Sequence, residues 1–284
     1  MDINHIFSFV AAFFIGITLG LFGGGGTILT LPVLAYLLKY EYEVAILYSM
    51  FIVGVTTFVG GINSYIKRFL NLKAAYSFGI PSLIAVFITR KTLTPWIEQI
   101  TWHLYKYEFT GNHLLMCLSA ILMIIVALFM IFKKQNDTLV EKEKKKKFYF
   151  GIILKASIVG IISGLIGAGG GFIIVPSLIA FYKLKIKEAI GTSLVIIALN
   201  SFLGFIGDFV NIQLSPFKIY YDINSFLNND WLFLFAFTLI SILGIVLGLW
   251  ISRRIEATRL KIAFGYFVLL MGIMGIYVMF KELF

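Results

Sequence analysis

Four consecutive glycines inside an apolar segment constrain this chain more than any other feature. Gly23-Gly24-Gly25-Gly26 follows the apolar residues 6–22 and precedes a second apolar stretch, 27–38, that carries Pro32. Each glycine in a helix interior costs about 1 kcal/mol against alanine, so the tract weakens a continuous helix by roughly 4 kcal/mol. Pro32 removes a further backbone donor. The device returns 144 residues later as Gly167-Ala168-Gly169-Gly170-Gly171 with Pro176. At that offset Gly20, Leu21, Gly23, Gly25, Gly26, Pro32 and Leu34 meet the identical residue. The register continues: Ala45 meets Ala189, Ser49 meets Ser193, Phe58 meets Phe202 and Gly60 meets Gly204. The chain is a duplication whose unit contains a broken helix.

The chain is 60% hydrophobic and 13% charged, whereas soluble domains carry about 25% charged residues. Several apolar runs reach the ~20 residues that cross a bilayer. The expected fold is an all-α polytopic membrane protein with two homologous repeats, 1–132 and 148–284, joined by a charged cytoplasmic linker, 133–147. Each repeat has its glycine-broken segment and about three further spans. These are 44–66, 72–89 and 114–132 in the first repeat, and 188–210, 231–252 and 260–280 in the second. Residues 90–113, with Trp96, Trp102, Tyr105 and Tyr107, read as a polar-aromatic interfacial excursion. The net charge of +10 lies mostly in short loops, where it orients spans rather than binding nucleic acid. Cys117 is the only cysteine, so no intrachain disulfide is expected. The first residues lack Lys and Arg, and no small-residue cleavage site follows the first apolar run. That run therefore reads as a retained span.

A helix broken at membrane depth frees amides and carbonyls that lipid cannot satisfy, so they must face protein or a wet cavity. Paired broken segments in two repeats point to a transporter's binding site, and freed amides at a helix start suit an anion. Close packing is the competing reading. Gly20-xxx-Gly24 and Gly167-xxx-Gly171 fit the small-xxx-small spacing that lets helices touch. Both roles can coexist.

The duplicated G-L-x-G-x-G-G-x motif, followed by an apolar run, Pro and A-x-x-x-S, resembles the TauE/SafE sulfite exporter family. Glu188-Ala189-Ile190-Gly191-Thr192-Ser193 is similar to that family's A-x-G-T-S segment. The resemblance covers both halves, from about residue 10 onward. The first copy departs from the pattern: Leu47-Tyr48-Ser49 stands where Gly-Thr-Ser is expected, so only Ser49 carries over. The resemblance implies an integral membrane permease of small anions, often sulfur oxyanions or organosulfur acids, in the plasma or inner membrane.

The candidate substrate-binding residues are then Gly23, Gly24, Gly25, Gly26 and Thr27 in the first break, and Gly167, Gly169, Gly170 and Gly171 in the second. Ser49, Thr192 and Ser193 would offer hydroxyls to an anion, unless each bonds back to a carbonyl one turn earlier. Asn200 and Ser201 lie mid-span opposite Thr56 and Thr57, as helix glue or as path lining. Asp208 and Lys155 are the charges placed within spans. Intramembrane charge raises a functional question by default, so Asp208 is a candidate proton or ion-coupling site and Lys155 a candidate anion contact. Neither has a charged counterpart, their matches being Ser64 and Ala11. Neither glycine tract ends in Gly-Lys-Ser/Thr, so no P-loop is read. His5, His103 and His113 are too scattered for a metal site. No cofactor is expected. Small anions and lipid are the expected partners, and a homo-oligomer is compatible with the sequence. The rival readings are an intramembrane enzyme, which would need clustered ionisable residues at depth, and a non-transporting assembly factor.

Charge decides between two architectures. If each broken segment crosses once, the repeats are parallel, and 12 Lys and Arg fall inside against 11 outside. If each enters and leaves on the same side, the repeats are inverted, with 17 inside and 6 outside. Positive charge prefers the cytoplasm, which favours inversion with both termini outside. In a Cys117-replaced protein, Tyr42→Cys is then expected to react with an impermeant thiol reagent on intact cells and Ile186→Cys is not. Equal labelling or equal protection of both positions rules inversion out.

Overall fold

A computed structural model describes residues 3–38, 40, 42–98, 100–104, 107–132, 145–166, 171–214 and 231–283. Gly167, Gly169 and Gly170, the linker up to residue 144 and most of the loop 211–230 lie outside them. The first repeat begins with α1 (Ile3–Phe22), a tight turn Gly23–Gly26, α2 (Thr27–Pro32) and a widened turn Val33–Leu37. It continues with α3 (Tyr42–Ile66), α4 (Leu72–Glu98), strands β1 (Thr101–Leu104) and β2 (Tyr107–Thr110), and α5 (Gly111–Phe132). The second repeat holds α6 (Lys145–Ile166), α7 (Gly171–Tyr182), α8 (Ile186–Leu214), α9 (Trp231–Arg254) and α10 (Ala257–Leu283). Five of these helices are long and apolar enough to span a membrane: α3, α4, α8, α9 and α10. Large apolar side chains on the outside, such as Leu232, Tyr277 and Ile66, suit a lipid surrounding and would be anomalous in water.

Two local features differ from the sequence reading. α4 does not stop at Thr89 but runs through Arg90 to Glu98. Arg and Lys are good helix formers, so charge marks membrane depth rather than a helix end. The polar-aromatic excursion is partly an antiparallel hairpin, in which Thr101 pairs with Thr110 and Leu104 with Tyr107. It closes by Gly111 N–H donating to the Ile100 carbonyl at 2.8 Å.

Glycines set the helix pairing and reveal its direction. Gly16 lies against Gly244 and Gly20 against Gly248, so α1 and α9 run parallel with backbones touching. Ser241 Oγ adds a bond to the Ala12 carbonyl at 3.0 Å. Gly160 lies against Ser82 and Ala85, and Gly164 against Thr89, so α6 and α4 are parallel as well. These are the same contact made twice with the repeats exchanged, Ser82 and Ser241 holding matching places 159 residues apart. Between the matched helices α3 and α8, Gly54 meets Ser201 and Phe202, Gly61 meets Val195, and Gly191 meets Ser64, an antiparallel crossing. The pair α5 and α10 is antiparallel too: Gly265 meets Met130, and Gly272 meets Met123. Matched elements packed antiparallel are related by a two-fold axis perpendicular to their length.

The connections complete the trace. The loop 67–71, the hairpin after α4 and residues 255–256 join helices closely, and short connections make antiparallel neighbours. Following them, α1 and α3 run in the same direction. Residues 23–41 therefore carry the chain back to the side from which α1 started, and α7 does the same after α6. The two returns are not equal: residues Gly171 to Ile179 of α7 are all buried, whereas Ile28, Leu29, Leu31 and Val33 are only half-buried.

Ile186 is 1% exposed, so a cysteine there reports poorly, and the exposed neighbour Lys185 is the better labelling position. The parallel helix contact gives its own test. A side chain at Gly244 would meet Gly16 Cα at 2.9 Å and Ile17 N at 3.0 Å, both backbone, whereas Gly151 has nothing within 4 Å. Gly244→Leu is expected to destabilise the protein by ~1–3 kcal/mol or more. Gly151→Ala should be neutral or stabilising by up to about 1 kcal/mol. Thermal unfolding in detergent compares the two.

Candidate functional site

The two breaks meet. α1 ends at Phe22, and Gly23 then takes φ +64°, a left-handed conformation that side chains disfavour. The chain turns tightly through Gly26 and re-enters a helix at Thr27, whose N–H donates to the Gly24 carbonyl. The Thr27 hydroxyl donates to the same carbonyl at 2.7 Å. Gly24 abuts Gly171, the first residue of α7, so closely that a Cβ on Gly24 would overlap the Gly171 carbonyl. From the other side, a Cβ on Gly171 would sit 3.1 Å from Gly24 Cα, from Thr27 Cγ2 and from Ile197 Cδ1. Only glycine permits this approach. The segments after the breaks, which the sequence leaves open between helix and extended strip, are both helical.

α8 forms the wall beside this contact. Ser193 Oγ lies 2.5 Å from where a Cβ on Gly23 would stand, with Val175 Cγ2 at 3.1 Å and Ile190 Cα at 3.4 Å. Ser193 therefore lies beside the first break. Its hydroxyl donates to the Ile190 carbonyl at 2.8 Å, and Ser49 does the same to Ile46 at 2.7 Å. In this arrangement both serines offer lone pairs outward, and each must rotate about χ1 to donate to an anion. Thr192 is engaged elsewhere. Its hydroxyl accepts the Asn71 N–H at 3.1 Å, while Asn71 Oδ1 accepts Ala74 N–H at 3.0 Å and caps α4. Thr192 thus ties α8 to the start of α4.

Thr56 and Asn200, matched at the 144-residue offset, both carry a buried oxygen, Oγ1 and Oδ1, with no hydrogen-bond partner among the described residues. They lie at the same level of the α3–α8 crossing, because Gly54 meets Ser201 and Phe202. An unsatisfied oxygen in a dry interior costs about 1–3 kcal/mol, and the hydroxyls of Ser82 and Thr89, in the α4–α6 contact, are in the same position among the described residues. Thr57, by contrast, bonds back to the Val53 carbonyl at 2.6 Å. Gly25 lies in the first turn, and Gly26 is buried there. Asp208 falls within α8, its side chain outside the described residues. Lys155 is exposed on the outer face with Nζ 5.1 Å from the Phe181 ring, a cation–π arrangement away from the breaks.

Arg90 went unweighed in the sequence because it was read as a loop residue. It lies inside the span Leu72–Leu93 and turns into the bundle. Its Nη1 donates to Met50 Sδ at 3.3 Å and sits 2.9 Å from where a Cβ on Gly204 would stand. The signal available was the unbroken apolar pattern on both sides of it. At the opposite end of α3, Arg253 donates to Asn63 Oδ1 and Lys187 Nζ donates to the Arg253 carbonyl at 2.6 Å. These bonds tie α3, α8 and α9 together among the basic loops.

The interior thus brings together a glycine turn, the N-terminal end of a 12-residue helix and a serine, all buried. The first amides of α7 have no acceptor within their own helix, and its dipole directs positive potential toward the turn. Such a centre suits a compact, negatively charged oxygen compound. Comparisons with known proteins agree with a role in transport. The family model described as sulfite exporter TauE/SafE matches residues 8–275. A protein of Methanocaldococcus jannaschii described as a probable membrane transporter is 29% identical over 205 residues, 69% of each chain. A Xylella fastidiosa protein with the same description is 28% identical over 189 residues, 66% of this chain and 67% of its own. No solved structure matches.

The contact between Gly23 and Ser193 can be measured directly. Gly23→Ala forces a side chain into a left-handed backbone, at about 1–2 kcal/mol, and against Ser193 Oγ. Ser193→Gly removes the obstruction. A double-mutant cycle on unfolding free energy should show the two changes coupled by about 0.5–3 kcal/mol in the relieving direction. Strict additivity would mean that the two residues do not touch.

Proposed function

This chain belongs to the TauE/SafE sulfite exporter family and is a multi-pass membrane transporter, and on that premise we propose that it moves a small oxyanion through the meeting point of its two breaks. Sulfite or a related sulfur oxyanion or organosulfonate is the leading substrate. The observation that carries the proposal is the backbone contact of Gly24 with Gly171, because it brings the start of α7 to the other repeat's turn in a buried interior. A cation would be repelled by that helix end.

The pairing directions support an inverted-repeat mechanism. Two units that exchange their first and fourth helices, and cross at α3 and α8, can rock about the contact between the breaks. Such motion opens the centre to one side and then the other. With the positive-inside count favouring 183–187 and 253–261 in the cytoplasm, both termini would lie outside, in the cell's plasma or inner membrane. Neither rival reading has support of this kind. The family and both relatives carry transporter names rather than enzyme names, and an assembly factor needs no buried contact between breaks.

Purified protein in proteoliposomes decides the matter. Sulfite, sulfate, thiosulfate and small sulfonates are supplied in turn, with and without a pH gradient, and flux is followed. Saturable flux of at least one of these anions is expected, abolished in Gly24→Leu protein that still reaches the membrane. Absence of flux for the whole panel would overturn the anion reading.

A further inference from the structure

We propose that Thr56 and Asn200 form a binding site for a monovalent alkali cation beside the anion. The proposal rests on the anion reading above and adds a second ligand and its place to it.

The place follows from symmetry. In the antiparallel crossing of α3 and α8, Gly54 lies against Ser201 and Phe202. Two residues further along α3 and two back along α8, Thr56 stands opposite Leu199 and Asn200. Asn200 is also the residue that matches Thr56 at the 144-residue offset. A residue that faces its own counterpart lies on the two-fold axis relating the repeats. Thr27 and Gly171 are a second such pair, since they match at the same offset and a Cβ on Gly171 would stand 3.1 Å from Thr27 Cγ2. The axis therefore runs through the meeting of the breaks and through Thr56 and Asn200. It is perpendicular to the helices, so both places lie at one membrane depth. They are also close together. Ile197 Cδ1 lies 3.1 Å from the same construction point on Gly171, and Asn200 follows Ile197 by about one helical turn, ~5 Å.

The chemistry selects the ligand. Thr56 is 0% exposed. Its Oγ1 and the Asn200 Oδ1 are bonded neither to each other nor to any other described residue. Ser82 and Thr89 are unbonded too, but a hydroxyl can turn to donate. Ser241, which holds the place of Ser82 in the other helix pair, donates to the Ala12 carbonyl at 3.0 Å. A carboxamide oxygen only accepts, so Asn200 Oδ1 needs a donor or a positive charge brought to it. Thr56 can serve the same ligand in either rotamer. A threonine that donates back to its own helix, as Thr57 does to the Val53 carbonyl at 2.6 Å, still presents a lone pair. Calcium and magnesium sites are built around carboxylates, whereas a pair of neutral oxygens fits a singly charged hard cation.

Position and charge then agree. An anion at the start of α7 is a costly charge in a low-dielectric interior, and a cation about one turn away offsets it. A ligand on the axis keeps its place while an inverted pair rocks, so it can be reached from either side. Thr56 belongs to one repeat and Asn200 to the other, so the cation joins the two moving units. Each ion then raises the affinity for the other by the same factor.

The test uses full-length protein, comparing wild type, Thr56→Val, Thr56→Ser and Asn200→Leu. Thermal unfolding in detergent is followed as sodium or potassium replaces choline at constant ionic strength. Sulfite and sulfate flux in proteoliposomes is measured in the same three cations. Wild type should be stabilised saturably by sodium or potassium but not by choline, and that cation should lower the anion half-saturation about fivefold or more. Asn200→Leu and Thr56→Val should raise the half-effective cation concentration about tenfold or more. In choline neither should unfold at a lower temperature, because an apolar group replaces an unbonded oxygen. Thr56→Ser keeps a hydroxyl and should keep the response. If one variant does not assemble, the other decides. A purely structural link between α3 and α8 would instead lower the unfolding temperature in choline and leave the cation response intact, which overturns the site. A changed anion half-saturation in choline alone gives the pair to the anion and also overturns it. Wild-type flux that is equal in all three cations, without stabilisation, overturns the site and leaves the anion reading in place. Cation stabilisation that is lost in Asn200→Leu, in protein moving neither anion, keeps the site and overturns the anion reading.

Discussion

Hydrocarbon has no hydrogen-bond partner to offer a backbone amide or carbonyl, and two helices of this protein are interrupted within it. The first interruption packs against the start of the helix that follows the second. Gly24 and Gly171 bring main chain to main chain, and the threonine after the first turn returns its hydroxyl to the Gly24 carbonyl. Around this contact the side chains are apolar and buried, among them Phe172, Val175, Ile190 and Ile197. The exposed backbone is thus confined to a small volume between the repeats. That confinement gives the centre its chemical character, since oriented amides act far more strongly where water is excluded.

The same requirement for close approach governs the scaffold. Helices in lipid gain little from burying apolar surface and associate through packing of small residues. Gly16, Gly20, Gly244 and Gly248 let α1 and α9 touch along their backbones, and Gly160 and Gly164 set α6 against Ser82 and Thr89. Each repeat therefore lends its first helix to the other. Neither half buries its glycine faces alone, so the two form one bundle around the breaks.

Within that bundle the polar groups divide by what they bond. Ser49, Ser193 and Thr57 return to carbonyls of their own helices, and Thr192 holds the start of α4. Thr56 and Asn200 keep an oxygen buried without a partner among the described residues at the α3–α8 crossing. Arg90 breaks the symmetry of the duplication, standing where Leu249 stands in the other repeat.

Membrane residence, the duplication, the broken helices and the family were all legible in the residues, because each leaves a linear trace: run length, repeat offset, glycine and proline spacing. Ser193 was legible as a neighbour of the break for the same reason, through its place in the repeat. Three things were decided only by tertiary structure. The contact of Gly24 with Gly171 joins residues far apart in the chain, and glycine alone does not reveal whether it turns, packs or binds. The direction of each helix pair depends on which glycine faces meet, and that fixed the chain's return after each break. The depth of Arg90 was misread because local charge resembles a loop, whereas an arginine is tolerated at membrane depth when neighbouring helices offer it a seat. Gly204 and Met50 provide that seat, and neither is near Arg90 in sequence.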